Sequence, residues 1–222
     1  MLKIKIAQKI DLNEIVLVNE SEVVSMRAIN HENTYLSLFT LASAEEITAE
    51  AMCGERYYYC FSGRGAIIIE NVKKEIRKGE FLRVDKNKDY SLKSFENFKF
   101  IEVGEKIGGN DMENKMLKGL NYAETIQLEK CIEYQENKIV SKNLVAKKDL
   151  VITVMSFWKG ENLEPHMAPG DALVTVLDGE GKFVVDGKAS LVKKEESIVL
   201  PGNIAHAVEA ISNFKMLLIL IK

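Results

Sequence analysis

Among the side chains of this 222-residue sequence, His166 and His206 are best equipped for chemistry at neutral pH. A neutral imidazole can ligate a metal ion, accept a proton or hydrogen-bond an anion. Glu164 and Asp171 stand close enough along the chain to share a site with His166; Met155 and the single Trp158 precede it, as walls of a pocket mouth or, the reading their types favour, as packing between sheets. The two histidines could equally satisfy their hydrogen bonds inside a folded core. The third, His31, lies in Asn30-His31-Glu32-Asn33, which reads as an exposed turn without a role. Cys53, Cys60 and Cys131 form no Cys-x-x-Cys pair, and an odd count argues against a disulfide framework. All three read as buried or inert thiols. No Ser–His–Asp or Cys–His arrangement stands out. Gly63-Arg64-Gly65 and Gly179-Glu180-Gly181 read as hairpin turns and not phosphate loops, because no helix follows either.

The elements that must position these residues are strand-like. Apolar stretches of four to eight residues, rich in Val, Ile, Phe and Tyr, alternate with turn signals at Ser62-Gly63, Asp178-Gly179, Asp186-Gly187 and Pro201-Gly202. Asp186-Gly187 between two such stretches is a hairpin signal. No helical stripe runs over three turns, although 110–119 could hold one turn. Short strands with regular turns, closed to hide their edges, mean a small β-sandwich or barrel. The all-β reading fits the composition: 46% hydrophobic, 28% charged, with a net charge of -3. That balance excludes a basic nucleic-acid binder. No apolar run reaches the ~18 residues of a membrane span, and Met1–Ile6 alternates charge with hydrophobe unlike a signal peptide, so a cytoplasmic location is expected.

The chain is also internally repeated. Gly63-Arg64-Gly65 and Gly179-Glu180-Gly181 lie 116 residues apart, and the same offset joins Asn97-Phe98-Lys99 to Asn213-Phe214-Lys215, Val24-Ser25 to Val140-Ser141 and Asn87 to Asn203. Apolar positions agree between these anchors, as in Tyr35–Leu41 over Val151–Phe157. The period is domain-sized, so it signals duplication of a whole domain. The expected organisation is a first barrel over 1–104, a connection over 105–119 and a second barrel over 120–222.

The second copy carries a recognisable pattern. Gly160 to His166, followed by Pro169-Gly170-Asp171-Ala172 and Gly179, resembles the first motif of the cupin superfamily, which reads Gly, five residues, His-x-His, three or four residues, Glu, six residues, Gly. Pro201-Gly202-Asn203-Ile204-Ala205-His206 resembles the second, Pro-x-Gly-x-x-His, with Asn203 in place of Gly. With the duplication, the chain resembles a bicupin, which implies two tandem jelly-roll barrels (double-stranded β-helices). The resemblance puts His166 and His206 on metal-ligating positions, for a divalent ion such as Zn, Ni, Fe or Mn. Ala168 and Ala172 stand where the second His and the Glu would be, so half of the usual shell is absent. Glu164 or Asp171 could substitute by turning inward, although Asp171, one residue before Ala172, points the other way in a regular strand. In the first copy the offset places Glu50, Met52 and Arg56 on the His, His and Glu positions, and Tyr90 on the last His. A pocket of Glu50, Arg56 and Tyr90 holds no conventional metal; it could take a polar ligand, or Glu50 and Arg56 could pair.

Three functions remain open at this point. The second barrel could be an enzyme acting on a small carbonyl or sugar-like substrate, with or without metal. It could be a non-catalytic binder or sensor of a small polar molecule. The whole could be a structural bicupin. A small-molecule partner and a homodimer are expected, the latter because barrels of this kind expose strand edges.

Overall fold

The structure is a computed structural model that describes residues 7–51, 53–106 and 121–222, with the backbone alone at 49–51. Most of the expected connection, 107–120, therefore lies outside the described residues. The chain folds as strands throughout: β1 (Lys9–Asp11), β2 (Val23–Asn30), β3 (Thr34–Leu41), β4 (Glu46–Ala51), β5 (Arg56–Ile69), β6 (Val72–Arg77), β7 (Glu80–Val84), β8 (Asp89–Glu105) and β9 (Ile126–Gln127) come first. The second copy follows as β10 (Ile139–Ala146), β11 (Leu150–Phe157), β12 (Asn162–His166), β13 (Asp171–Asp178), β14 (Glu180–Val185), β15 (Lys188–Lys193), β16 (Glu196–Leu200), β17 (His206–Ala210) and β18 (Phe214–Ile221). A four-residue helix at Leu12–Ile15 and a 3-10 turn at Leu128–Lys130 are the helical pieces among the described residues.

The duplication holds strand by strand, since β2, β3, β6 and β7 begin 116 residues before β10, β11, β15 and β16. Backbone conformation follows the same register. Left-handed residues occur in pairs such as Ala7 and Ala123, Ser21 and Asn137, and Asn87 and Asn203. The repeated Asn-Phe-Lys triplet has a mechanical reason. Asn97 Oδ1 accepts the Ser43 N–H at 3.1 Å and Asn213 Oδ1 the Lys159 N–H at 2.7 Å. Phe98 and Phe214 are core side chains. Lys99 and Lys215, each buried, donate to the carbonyls of Asn13 (3.0 Å) and Glu129 (2.7 Å).

Two compact units result, and neither is contiguous. One comprises 13–106 with 121–127, the other 7–12 with 128–222, within the described residues. The leading strand of each copy thus belongs to the other copy's barrel: β1 pairs antiparallel with β16, and β9 with β7. Boundaries near 104 and 120 miss this exchange, because a strand of two or three residues carries too little apolar pattern to show its partner.

In the second unit a six-stranded sheet, β1-β16-β13-β18-β11-β10, faces a four-stranded one, β12-β17-β14-β15. Their inner faces close on Val174, Val176, Phe183, Val185, Val208 and Phe214. The first unit uses one sheet, β2-β3-β8-β5-β7-β9 with β4 and β6 added, around Tyr58, Cys60, Ile67, Leu82, Phe98 and Phe100. Here β5 and β8 run unbroken where the second unit divides them, and bulges between Cys60 and Gly65 bend β5. The Gly-x-Gly triplets are therefore bends in a strand that passes between faces, not hairpin turns. Gly63 and Gly179 have φ of 72° and 73°, and a Cβ on either would lie 2.1 Å or 2.0 Å from the carbonyl oxygen of Glu96 or Asn213. Asp186-Gly187 does form the expected hairpin turn, with φ of 49° and 74°.

Candidate functional site

His166 ends β12 and His206 begins β17, and the two are direct cross-strand partners. A register shift between Leu163 and His166 makes this pairing. Val208 and Ala210 of β17 are core residues, so His206, two positions earlier, shares their inward face. The imidazole centroids are 4.5 Å apart at an interplanar angle of 60°. His206 is 5% exposed, whereas His166 is open to solvent at the mouth of the barrel. Each ring makes the same hydrogen bond. Nδ1 of His166 lies 2.8 Å from the Glu164 carbonyl, and Nδ1 of His206 lies 3.0 Å from the Ile204 carbonyl. A carbonyl only accepts, so Nδ1 carries the proton and the neutral ring keeps its lone pair on Nε2. Burial pulls the His206 pKa below the usual imidazole range, opposed by the Ile204 carbonyl and reinforced by His166. The neutral, ligating form is thereby favoured.

The remaining expected residues are placed as follows. The Ala172 methyl is buried in the core beside Val174, Leu200 and Val208. Asp171 accepts the Gly202 N–H at 2.9 Å, so its carboxylate ties down the Pro201–His206 loop. Glu164 meets His166 through its carbonyl; its side chain lines a groove of about 240 Å³ with Asn162, Lys182 and Glu209, where Lys182 and Glu209 pair at 2.9 Å. Met155 packs against the apolar core, and Trp158 is half-buried just beyond β11, its backbone N–H bonded to the Lys138 carbonyl. Two residues went unnoticed in the sequence: Met167 (66% exposed) and Ile204 (37% exposed), apolar side chains beside the histidines. Their segments meet through the Asn203 N–H and the Ala168 carbonyl at 2.7 Å.

Two neutral nitrogens fit a divalent cation as part of a shell. Among the described residues no cluster of three or more His, Cys, Asp or Glu side chains could hold one, and zinc sites take at least three protein ligands. A bound species would have to supply the rest.

The corresponding end of the first barrel is filled from within. The phenols of Tyr35 and Tyr58 donate to the two oxygens of Glu102 at 2.8 and 2.9 Å. Tyr90 packs edge-on to Tyr58 with centroids 6.0 Å apart. Burial, then the Glu102 charge, raises both Tyr35 and Tyr58 above the ordinary phenol range. Arg56 donates through Nη1 to the carbonyls of Gly54, Glu55 and Glu105, and its guanidinium lies 5.4 Å from the Tyr35 ring centroid. It thus rests on backbone oxygens. The Glu50 side chain and Met52 lie outside the described residues. Tyr35, Tyr58 and Glu102 were missed in the sequence, although the repeat held the signal: Glu102 falls on Leu218, a charge where the other copy has a hydrophobe. Cys60 is buried as expected, but Cys53 is exposed and Cys131 half-buried. Among the described residues no helix is long and apolar enough to cross a membrane.

The cupin domain family matches residues 153–222. A solved structure, the cupin 2 conserved barrel domain protein from Leptotrichia buccalis, is 58% identical over 100% of both chains, with a TM-score of 0.90. A variant of the salicylate 1,2-dioxygenase from Pseudoaminobacter salicylatoxidans is 11% identical, covers 85% of this chain and 70% of its own, and has a TM-score of 0.67. The oxalate decarboxylase from Bacillus subtilis, described with Mn(II) centres, is 13% identical over 86% of this chain and 69% of its own, at a TM-score of 0.53. At such identity the likeness is one of fold. Comparison with curated proteins finds no match.

Proposed function

The chain belongs to the cupin family, and from that premise we propose that its second barrel binds a small polar molecule at the His166–His206 mouth, with a divalent metal ion between protein and ligand. The observation that carries this reading is the matched pair of Nδ1–carbonyl hydrogen bonds, which leaves both Nε2 lone pairs available. His166 and His206 would hold the ion; Asp171 fixes the loop that presents His206, and Met167 and Ile204 border the entrance. When bound, a divalent ion polarises a carbonyl or activates water. A second reading, metal-free binding in which Nε2 accepts a ligand hydrogen bond, is favoured by the buried methyl of Ala172 at the position of the missing ligand.

Metal analysis of tag-free protein separates the two. The first reading expects bound Zn, Ni, Fe or Mn that falls at least tenfold in His166→Ala and in His206→Ala. Metal content that ignores both substitutions, or no metal uptake under any condition, leaves the metal-free reading.

A further inference from the structure

The two copies differ in how much of their inner wall water can reach. On β11, Val151 shares the inward face of Met155 and Phe157, and its register partner on β18 is Leu220. Leu220 and Leu218, the neighbouring inward position of β18, pack against the core of the second barrel yet stay half-buried, as does Val151. Their counterparts 116 residues earlier, Tyr35, Glu102 and Gly104, are all buried. The cause is one side chain that reaches inward. The Tyr35 ring lies over Gly104, where a Cβ would run into it, and its hydroxyl donates to Glu102 at 2.8 Å. Val151 is too short to repeat this, and Leu220, half-buried itself, does not close the gap. The wall stands at the end of the barrel that carries the histidines. Ala172 is the other register partner of Leu220, and Asp171 beside it holds the loop that leads to His206.

From this contrast we propose that the second barrel takes a small uncharged alcohol, without metal. Its ring or branched body rests on Val151, Leu218 and Leu220, and its hydroxyl donates to Nε2 of His206. Nδ1 of that ring is committed to the Ile204 carbonyl, so Nε2 of the neutral imidazole is an acceptor. A charged ligand would lose its water against a wall that returns no hydrogen bond. The Tyr35 side chain is the built-in counterpart of such a ligand: a ring at the same wall positions, with a hydroxyl that donates to an acceptor inside the barrel. The first barrel carries this group covalently, and the second leaves its place to a free molecule. The inference rests on the metal-free reading given above and names the ligand class for it.

Saturation-transfer NMR titrations of the tag-free full chain test it, with cyclohexanol as the probe and cyclohexanecarboxylate and cyclohexylammonium as its charged analogues. Saturable binding of cyclohexanol is expected, with both analogues at least about tenfold weaker. Val151→Tyr combined with Leu220→Gly copies the first barrel's wall and should abolish binding while thermal unfolding stays cooperative. Leu218→Phe narrows the same wall without adding charge and gives the same test should the double variant not fold. His206→Ala should also weaken binding. Cyclohexanol binding that falls in His206→Ala but survives the wall substitutions would overturn the inference and leave the metal-free reading in place. Equal affinity for cyclohexanecarboxylate, again dependent on His206, would do the same. Binding that ignores the wall and His206 alike overturns the inference, because the probe then sits elsewhere. No binding of any of the three compounds removes the inference, and the metal content of the protein still decides between the two readings above.

Discussion

Where the second barrel buries the methyl of Ala172, the first buries the guanidinium of Arg56, and where the second presents His206 the first has Tyr90. The contrast extends down the lumen: Tyr35, Tyr58 and Glu102 occupy the register positions of Val151, Val174 and Leu218. In the first barrel the phenols and the carboxylate satisfy one another, while Arg56 Nε is buried without a partner. In the second, His166 and His206 at the mouth each commit only Nδ1, to a backbone carbonyl. Duplication has thus produced one barrel whose inner polar groups bond to one another and one that pairs two imidazoles at its mouth.

The comparison breaks most readily at Glu102. Glu102→Leu, which installs the residue found in the other copy, strands two buried phenol hydroxyls and should cost about 3 kcal/mol in urea unfolding. Adding Tyr35→Phe and Tyr58→Phe should recover most of that loss, since replacing both sides of a hydrogen bond with apolar groups of like shape is nearly neutral. A single-substitution cost below about 1 kcal/mol would mean that water reaches the network, and the contrast between a closed and an open lumen would fail.

The exchange of leading strands gives the next largest effect. Removing residues 1–11 takes β1 from the edge of β16 and Ala7 from the apolar core of the second barrel. The loss should be about 2–3 kcal/mol, from a few ladder hydrogen bonds at ~1 kcal/mol each. It should appear first in the fluorescence of Trp158, the single tryptophan, which lies in the second barrel. Destabilisation confined to the first barrel would contradict the exchange. The equivalence of the two bends is tested by Gly63→Ala and Gly179→Ala. Both force a Cβ onto a carbonyl at positive φ, so each should cost about 2 kcal/mol and the two should agree within about 0.5 kcal/mol.

These tests also mark what a sequence can carry. The offset of Gly63 and Gly179 located the repeat because a positive-φ bend tolerates few residues, and the Asn-Phe-Lys triplets persisted because each member has a separate mechanical task. The meeting of His166 and His206 was legible because both fall on motif positions, and β12 and β17 make them cross-strand partners. The role of Asp171 was not, since a carboxylate bound to a backbone N–H leaves no pattern distinct from one that faces a ligand. Glu70-Asn71 escaped as a hairpin turn: its φ angles of 47° and 67° match those of Asp186-Gly187, yet it lacks the glycine that announces such turns. The Glu102 network was visible only in the comparison of copies. A lone carboxylate in Phe98–Val103 reads as an outward residue until the opposing strands supply its phenols.

The smallest effect concerns Cys60, which corresponds to Val176; both are buried. If the thiol serves as a hydrophobe, Cys60→Val should change stability by less than about 1 kcal/mol at pH 7, as volume-conserving core changes do. Alkali should separate the two proteins. Burial pushes the Cys60 pKa up to about 12, opposed by the backbone of Ser62 and by Lys78, against an ordinary value near 9.0. Above pH 9 the unfolded chain loses this proton while the folded chain retains it, so the native state binds more protons and stability falls as pH rises. The loss continues up to about pH 12, where the folded thiol also ionises. One such group contributes about 1.4 kcal/mol per pH unit, and Cys60→Val removes that contribution while the buried tyrosines keep theirs. Denaturant titrations between about pH 9.5 and 10.5 should therefore show a shallower decline for Cys60→Val, by roughly one proton. Parallel declines would place the thiol in contact with solvent and would end its equivalence with Val176.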